Sequence, residues 1–310
     1  MSTEALHRPA VAIGAITFTA FLWGSVFPLT TALLPLVPAP WLAASRYIVA
    51  VPTLMLFCVL SEQRNPFRGV LPWRHIVPLG AFGVAGFSML VAIGIGLSDP
   101  VTAAMILASS PVVAAIMGWL MCGRRLAAGI TLAIVLSVVG CIVATIGAAR
   151  SHACASYGGE VLLLIGQFCW VWYSLKLQQW LAPLGFTPLR ATALTTLVGG
   201  MTCVVIAILA TGFGLVQLPA LGSFATLDWA MFAWLGVLGT GMSTALWNFC
   251  ARELGVQIAS IYGNLTPLFA VLISAQMGSA VTLLQILGGA LILGGVLQLQ
   301  LRRAPAAGIG

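Results

Sequence analysis

Two short polar clusters interrupt otherwise apolar stretches. Ser109-Ser110-Pro111 sits inside Val101–Cys122, and Asn264, Thr266 and Pro267 sit inside Val256–Met277. Each stretch is long enough to cross the hydrocarbon core of a bilayer, which takes about 20 residues. A proline at that depth removes one intrahelical N–H and frees the carbonyl four residues earlier. In lipid such a carbonyl needs a protein partner or a wet cavity. The neighbouring hydroxyls and amide can bind a polar solute, or they can fill a simple kink. Recurrence of the same break in both halves of the chain favours a cavity lined from both.

Aromatic and charged groups at depth extend this set. Trp23 and Phe27 share a helical face at i, i+4, as do Trp170 and Ser174, with Trp172 and Tyr173 beside them. Trp247, Asn248 and Tyr262 join them further on. A buried Trp offers a flat wall to a planar solute and one N–H donor. Membrane proteins also favour Trp at headgroup level, and Trp41, Trp73, Trp180 and Trp229 fall at stretch ends where that role fits. Arg46 is the one strong charge inside the outer half of an apolar stretch. Such a charge must be paired or wetted: it contacts a solute carboxylate or a counter-ion, or it snorkels to the headgroups. Gln167 either meets a zwitterion or bonds a neighbouring helix. Gly86-Phe87-Ser88 is echoed by Gly241-Met242-Ser243. The candidate binding residues are therefore Trp23, Phe27, Arg46, Phe87, Ser88, Ser109, Gln167, Trp170, Ser243, Trp247, Tyr262 and Asn264. Pro111, Pro267, Gly24, Gly86 and Gly241 are the candidate hinge or gating positions.

The pattern excludes much else. No Ser/His/Asp or Cys/His set shares a polar surface, and no glycine-rich phosphate loop precedes a helix, so an enzyme is not expected. Asp99, Glu160, Asp228 and Glu253 all lie at stretch ends. No carboxylate at mid-depth argues against a buried proton relay and against cation efflux, and favours neutral or zwitterionic cargo. Six of the seven cysteines fall in or beside apolar runs, where Cys packs as a small polarizable residue; Cys154 alone sits in a polar connection. His7, His75 and His152 lie apart, so neither a metal nor a cofactor is expected. The 13 basic residues are scattered singly or in pairs, which gives no footprint for nucleic acid.

The elements that position these residues follow from composition. Of 310 residues, 61% are hydrophobic and 6% charged, and mean hydropathy is +1.10. A soluble domain carries charge on roughly a quarter of its residues. The apolar runs predict an all-α integral membrane bundle of ten transmembrane helices, at 11–35, 40–60, 75–97, 100–122, 126–148, 158–180, 188–212, 227–250, 255–277 and 281–301. Pro and Gly mark the short connections. With a cytoplasmic N-terminus, Arg8, Arg64, Arg68, Arg74, Arg124, Arg125, Arg190, Arg252, Arg302 and Arg303 fall inside and only Arg150 falls clearly outside. That asymmetry is the positive-inside rule, and it puts both termini in the cytoplasm.

The chain also repeats. Phe21-Leu22-Trp23-Gly24 pairs with Phe168-Cys169-Trp170-Val171, and Pro111 with Pro267. Five spans per half is an odd number, so the second copy must be inverted. Gly123-Arg124-Arg125 ends the fourth span, whereas its counterpart Gly278-Ser279-Ala280 has no charge, as an outside loop would. Inverted repeats place a solute path at their interface near mid-membrane.

Taken together, the paired five-helix halves, the FLWGS first span, Arg46 opening the second, and a Pro-broken fourth span followed by a Gly-rich fifth resemble the drug/metabolite transporter superfamily, EamA type. The resemblance covers residues 10–302, with repeats at 10–148 and 158–302. In character the chain is most similar to the YddG-type aromatic amino acid exporters. It departs from many members in carrying Arg124-Arg125 and Ser279-Ala280 where they have an acidic residue. The resemblance implies a monomeric bacterial inner-membrane exporter of small zwitterionic metabolites, aromatic and other neutral amino acids first, working by alternating access in a lipid bilayer. Two other readings stand beside it: an exporter of other cargo such as nucleosides or Ser/Thr-type amino acids, and a membrane scaffold or sensor that transports nothing.

Overall fold

The computed structural model describes residues 3–62, 65–122, 130–150, 158–219, 222, 224–255, 259 and 262–301. Its regular structure is helical throughout, with no strand among the described residues. The helices are α1 (Thr3–Leu33), α2 (Ala39–Glu62), α3 (Trp73–Gly96), α4 (Pro100–Leu107), α5 (Ser110–Cys122), α6 (Ile130–Arg150), α7 (Gly159–Trp180), α8 (Pro188–Gly212), α9 (Thr226–Glu253), α10 (Thr266–Gln276) and α11 (Leu283–Leu301). Among the described residues seven helical stretches are long and apolar enough to cross a membrane, α4 and α5 counting as one, Pro100–Met121. Three shorter apolar helices, Thr131–Ala144, Thr266–Gln276 and Leu283–Gly295, accompany them. Gly123-Arg124-Arg125, Arg64, Arg302, Arg303, His152, Cys154 and Val256-Gln257-Ile258 lie outside the described residues.

Local sequence sets where several helices begin. Asp99 caps α4, its Oδ1 accepting from the amides of Val101 (2.9 Å) and Thr102 (3.2 Å), with Pro100 in the first turn. Thr187 does the same for α8, accepting from the Arg190 amide at 3.1 Å ahead of Pro188. Both satisfy amides that the helix cannot bond itself, and proline costs nothing there because its missing N–H would be unbonded anyway.

The two proline clusters make breaks rather than smooth kinks. Helix α4 stops at Leu107, the chain turns through Ala108 and Ser109, and Pro111 enters the first turn of α5. In the second half the chain turns at Asn264 and Leu265, and Pro267 enters the first turn of α10. Two helices also widen. Residues Leu79–Gly86 of α3 and Trp234–Met242 of α9 are π-helical, a geometry that adds one residue per turn and recurs at functional sites.

Packing brings these features together. Helix α2 lies along α8 and against the π turn of α9, and α8 lies against the π turn of α3. The second part of α3, Phe87–Gly96, packs on α7, while α1 packs on the second part of α9 and on α10. Helices α6 and α11 pair closely along one face. At their crossing a Cβ on Gly140 would lie 2.6 Å from the Gly288 carbonyl oxygen, so only glycine permits that approach. Outward faces are apolar: Leu60, Leu120 and Leu227 are 65%, 62% and 68% exposed. A water-soluble monomer does not carry such a continuous apolar exterior; a bilayer accommodates it.

Candidate functional site

A cavity of about 990 Å³, mouth included, lies where α1, α2, α3, α7, α8 and α9 meet the two broken helices. Each half of the chain supplies part of its wall. From the first half come Trp23, Phe27, Arg46, Tyr47, Phe87, Ser88 and the α4–α5 break; from the second come Gln167, Trp170, Thr196, Thr240, Thr244, Trp247 and the turn at Gly263-Asn264. Leu107 and Gly263, each four residues ahead of a proline, are both lining residues. Neither carbonyl receives the amide bond a continuous helix would give it.

One wall is aromatic. The Trp23 ring meets Trp170 edge-on at 5.6 Å and Trp247 at 5.3 Å, and Phe87 lies 5.0 Å from Trp170. Trp170 and Trp247 are 7% and 3% exposed, so the rings hold one another in place. Behind them is a polar layer bonded within the protein, save for the buried Asn248 Oδ1, which has no partner among the described residues. Trp247 Nε1 donates to Ser174 at 3.3 Å, and Asn248 Nδ2 donates to Thr192 at 2.6 Å and to the Tyr173 hydroxyl at 3.2 Å. Asn248 and Ser174 thus brace the wall and do not face the cavity lining.

Opposite chemistry comes from α2. Arg46 lines the cavity, is 6% exposed, and donates through Nε to Thr240 Oγ1 at 3.1 Å. It does not snorkel to the headgroups. The π turn of α9 sets this contact. Thr240 Oγ1 donates to the Leu235 carbonyl five residues back at 2.7 Å, which leaves its lone pairs for Arg46. Gly236, in the same turn, lets α9 approach α2, since a Cβ there would stand 3.0 Å from the Arg46 carbonyl oxygen and 2.7 Å from Val49 Cβ. Neither Nη group has a hydrogen-bond partner among the described residues, and no described carboxylate pairs with the guanidinium. Gln167 lines the cavity with no hydrogen-bond partner for its amide among the described residues, and Tyr47 shares a short hydrogen bond with Ser88.

Nine of the twelve candidate binding residues line this cavity: Trp23, Phe27, Arg46, Phe87, Ser88, Gln167, Trp170, Trp247 and Asn264. Three do not. Ser109 is 3% exposed with its hydroxyl buried and unpartnered, because the break turns the chain and presents Ser110 instead. Ser243 is fully buried and donates to the Gly239 carbonyl of its own helix at 2.7 Å. Tyr262 packs against the apolar cluster that includes Trp170 and Trp247. Of the hinge candidates, Pro111 and Pro267 stand at the breaks, and Gly86 and Gly241 stand at the ends of the π turns. Gly24 sits within α1, pressed against α10, with no break or π turn beside it.

Lining residues that the sequence reading missed include Tyr47, Thr196, Thr240 and Thr244, whereas Ser110 and Thr266, singled out beside the two prolines, do line the cavity. Thr240, Thr244 and Trp247 fall at i, i+4 and i+7, one helical face, and that spacing would have found them. Nothing in the sequence marks Thr196. Among the described residues no group of His, Cys, Asp or Glu is placed to hold a metal ion.

A model of the EamA-like transporter family matches residues 10–146 and, again, 158–299. The chain belongs to the EamA-like transporter family. It is thus a multi-span membrane transporter for small molecules, and its two family repeats meet at the cavity. Two uncharacterized transporters of Bacillus subtilis (strain 168) are similar to it. YyaM is 23% identical over 257 residues, 82% of this chain and 82% of its own length. YdfC is 27% identical over 276 residues, 89% of this chain and 86% of its own. A solved crystal structure matches over 96% of this chain and 99% of its own at a TM-score of 0.67 and 19% identity, a likeness of fold.

Proposed function

We propose that this EamA-family chain is a bacterial inner-membrane exporter of small zwitterionic metabolites, with aromatic and other neutral amino acids as favoured cargo. The single observation that carries the reading is the cavity. Its lining combines a guanidinium that no described carboxylate pairs with, a wall of tryptophan rings, and the amides of Gln167 and Asn264, which have no hydrogen-bond partner among the described residues. An Arg fork takes a carboxylate through paired N–H donors, and the ring wall takes a planar side chain. A solid bundle would have favoured a scaffold.

The mechanism is alternating access between two inverted five-helix halves, 10–148 and 158–302, in a ten-span monomer with both termini cytoplasmic. Two features support it. The π turns recur at matching places in the halves, and the packing exchanges accordingly: α2 on the π turn of α9 has its counterpart in α8 on the π turn of α3. Bending at Pro111 and Pro267 opens the cavity to either side.

Uptake and counterflow of an amino acid panel in proteoliposomes, with and without a pH gradient, test the proposal. Trp170→Ala and Asn264→Ala should each cut transport of aromatic amino acids by about tenfold or more while the protein is still made and inserted, since stacking and one buried polar contact are each worth roughly 1–2 kcal/mol. Normal transport by both variants refutes the site.

A further inference from the structure

A cavity holding one full charge reads the sign of its cargo. Resting on the exporter reading above, we propose that this cavity selects cargo by a carboxylate and a flat apolar body, with the α-amino group dispensable. Aromatic monocarboxylates without an amino group are then cargo of the same site, and the matching amines are rejected.

The charge inventory carries this. Arg46 is buried, and the one hydrogen bond its side chain makes among the described residues is to a neutral hydroxyl, Thr240 Oγ1. The described carboxylates are all elsewhere. Glu62 accepts from Thr187, Asp99 from Gln285, Glu160 from Ser98, and Asp228 from its own cap at Ala225, while Glu253 is exposed at the end of α9. None of them lines the cavity. A bound monocarboxylate therefore neutralises the site, a zwitterion leaves it at one positive charge, and an amine raises it to two.

Among the described residues the acceptors an ammonium would find are all neutral: the side-chain amides of Gln167 and Asn264, the hydroxyls of Ser110, Thr196, Thr244 and Thr266, and the carbonyls of Leu107 and Gly263 that Pro111 and Pro267 leave without an amide. Such dipoles solvate a cation but do not balance Arg46. The tryptophans do not replace a carboxylate either. Ring centroids of Trp23, Trp170 and Trp247 stand 5.3 to 6.2 Å apart, so the rings pack on one another and leave no open cage for a cation. They form a wall against which an apolar ring lies while its carboxylate takes the Arg46 fork.

The test uses three matched probes: L-phenylalanine, 3-phenylpropionate (its amino group removed) and 2-phenylethylamine (its carboxylate removed). Equilibrium binding of each to the purified full chain is measured, with counterflow in proteoliposomes beside it. Phenylalanine and 3-phenylpropionate should bind within about tenfold of each other, and the amine at least about 100-fold more weakly, the effect of placing like charges together in a buried site. Arg46→Gln should weaken both carboxylates by about 100-fold and remove the amine's handicap. Arg46→Lys, which keeps the charge and loses the fork, should retain the preference for acid over amine with weaker binding. If phenylalanine binds and 3-phenylpropionate does not, or if the amine binds as well as the acid, this inference is overturned and the exporter reading stands. If none of the three binds, the aromatic-cargo reading falls and takes the inference with it.

Discussion

Gly24 tests whether the glycines beside the cavity bend or merely allow contact. It lies in α1, one residue after the cavity-lining Trp23, and faces α10 just past the Pro267 break. A Cβ built there would stand 2.6 Å from Phe269 Cβ, 2.9 Å from the Thr266 carbonyl oxygen and 3.0 Å from the Ala270 amide nitrogen. None of these is the free end of a flexible side chain, so no rotamer change relieves the overlap and the helices must part. Overpacking of this kind costs about 1–3 kcal/mol, and a backbone-on-Cβ clash belongs at the upper end. Alanine returns up to about 1 kcal/mol through helix propensity, leaving Gly24→Ala about 2 kcal/mol less stable. Gly86 is the control. Its Cβ would meet Cys169 Sγ at 3.4 Å, an ordinary contact, so Gly86→Ala should be neutral or slightly stabilising. Thermal unfolding of both purified variants in detergent, with transport measured in parallel, checks the pair. Parent-like stability of Gly24→Ala refutes the contact reading. Loss of transport without loss of stability at Gly24 would restore it as a hinge.

Two further outcomes follow from packing and charge. Gly288→Leu places a Cβ 2.5 Å from the Gly140 carbonyl oxygen and 2.6 Å from the Ala144 amide nitrogen, so it should cost about 2–3 kcal/mol or prevent assembly. Gly294→Leu, with nothing within 4 Å, should be tolerated, and equal behaviour of the two in an unfolding assay would refute the α6–α11 contact. At Asp99, in the connection before α4, burial holds the carboxyl above its ordinary value, against the pull of its hydrogen bonds from Thr102, Val101 and Gln285. The folded chain thus holds that proton more tightly than the unfolded chain. Its contribution to stability falls as pH rises from the unfolded value, about 3.9, through the folded one. Asp99→Asn removes that slope, so the stability of the parent relative to the variant should decline from acid to neutral pH; a difference that does not change with pH refutes it.

Much of the helix plan was readable from the chain because its causes are local. Apolar runs of bilayer length mark the spans, Asp99-Pro100 and Thr187-Pro188 cap helix starts, and Pro111 and Pro267 break the helices they enter. Each of these depends on residues within one or two turns. The aromatic wall was legible for a similar reason: Trp23, Trp170 and Trp247 sit deeper in their runs than the interfacial tryptophans.

What only the tertiary structure decided is which polar group faces inward. A straight helix would carry a regular 3.6-residue phase across each span, but the π turns in α3 and α9 add a residue to the turn and the breaks at Ser109 and Leu265 restart the phase. A one-residue shift rotates a side chain by about 100°. That is why Ser110 lines the cavity and Ser109 does not, and why Thr240 reaches Arg46 while Ser243 bonds back to its own helix. The fate of Arg46 was undecidable in sequence for the same reason. Snorkelling and pointing inward differ by a rotation that α9 fixes from 194 residues away.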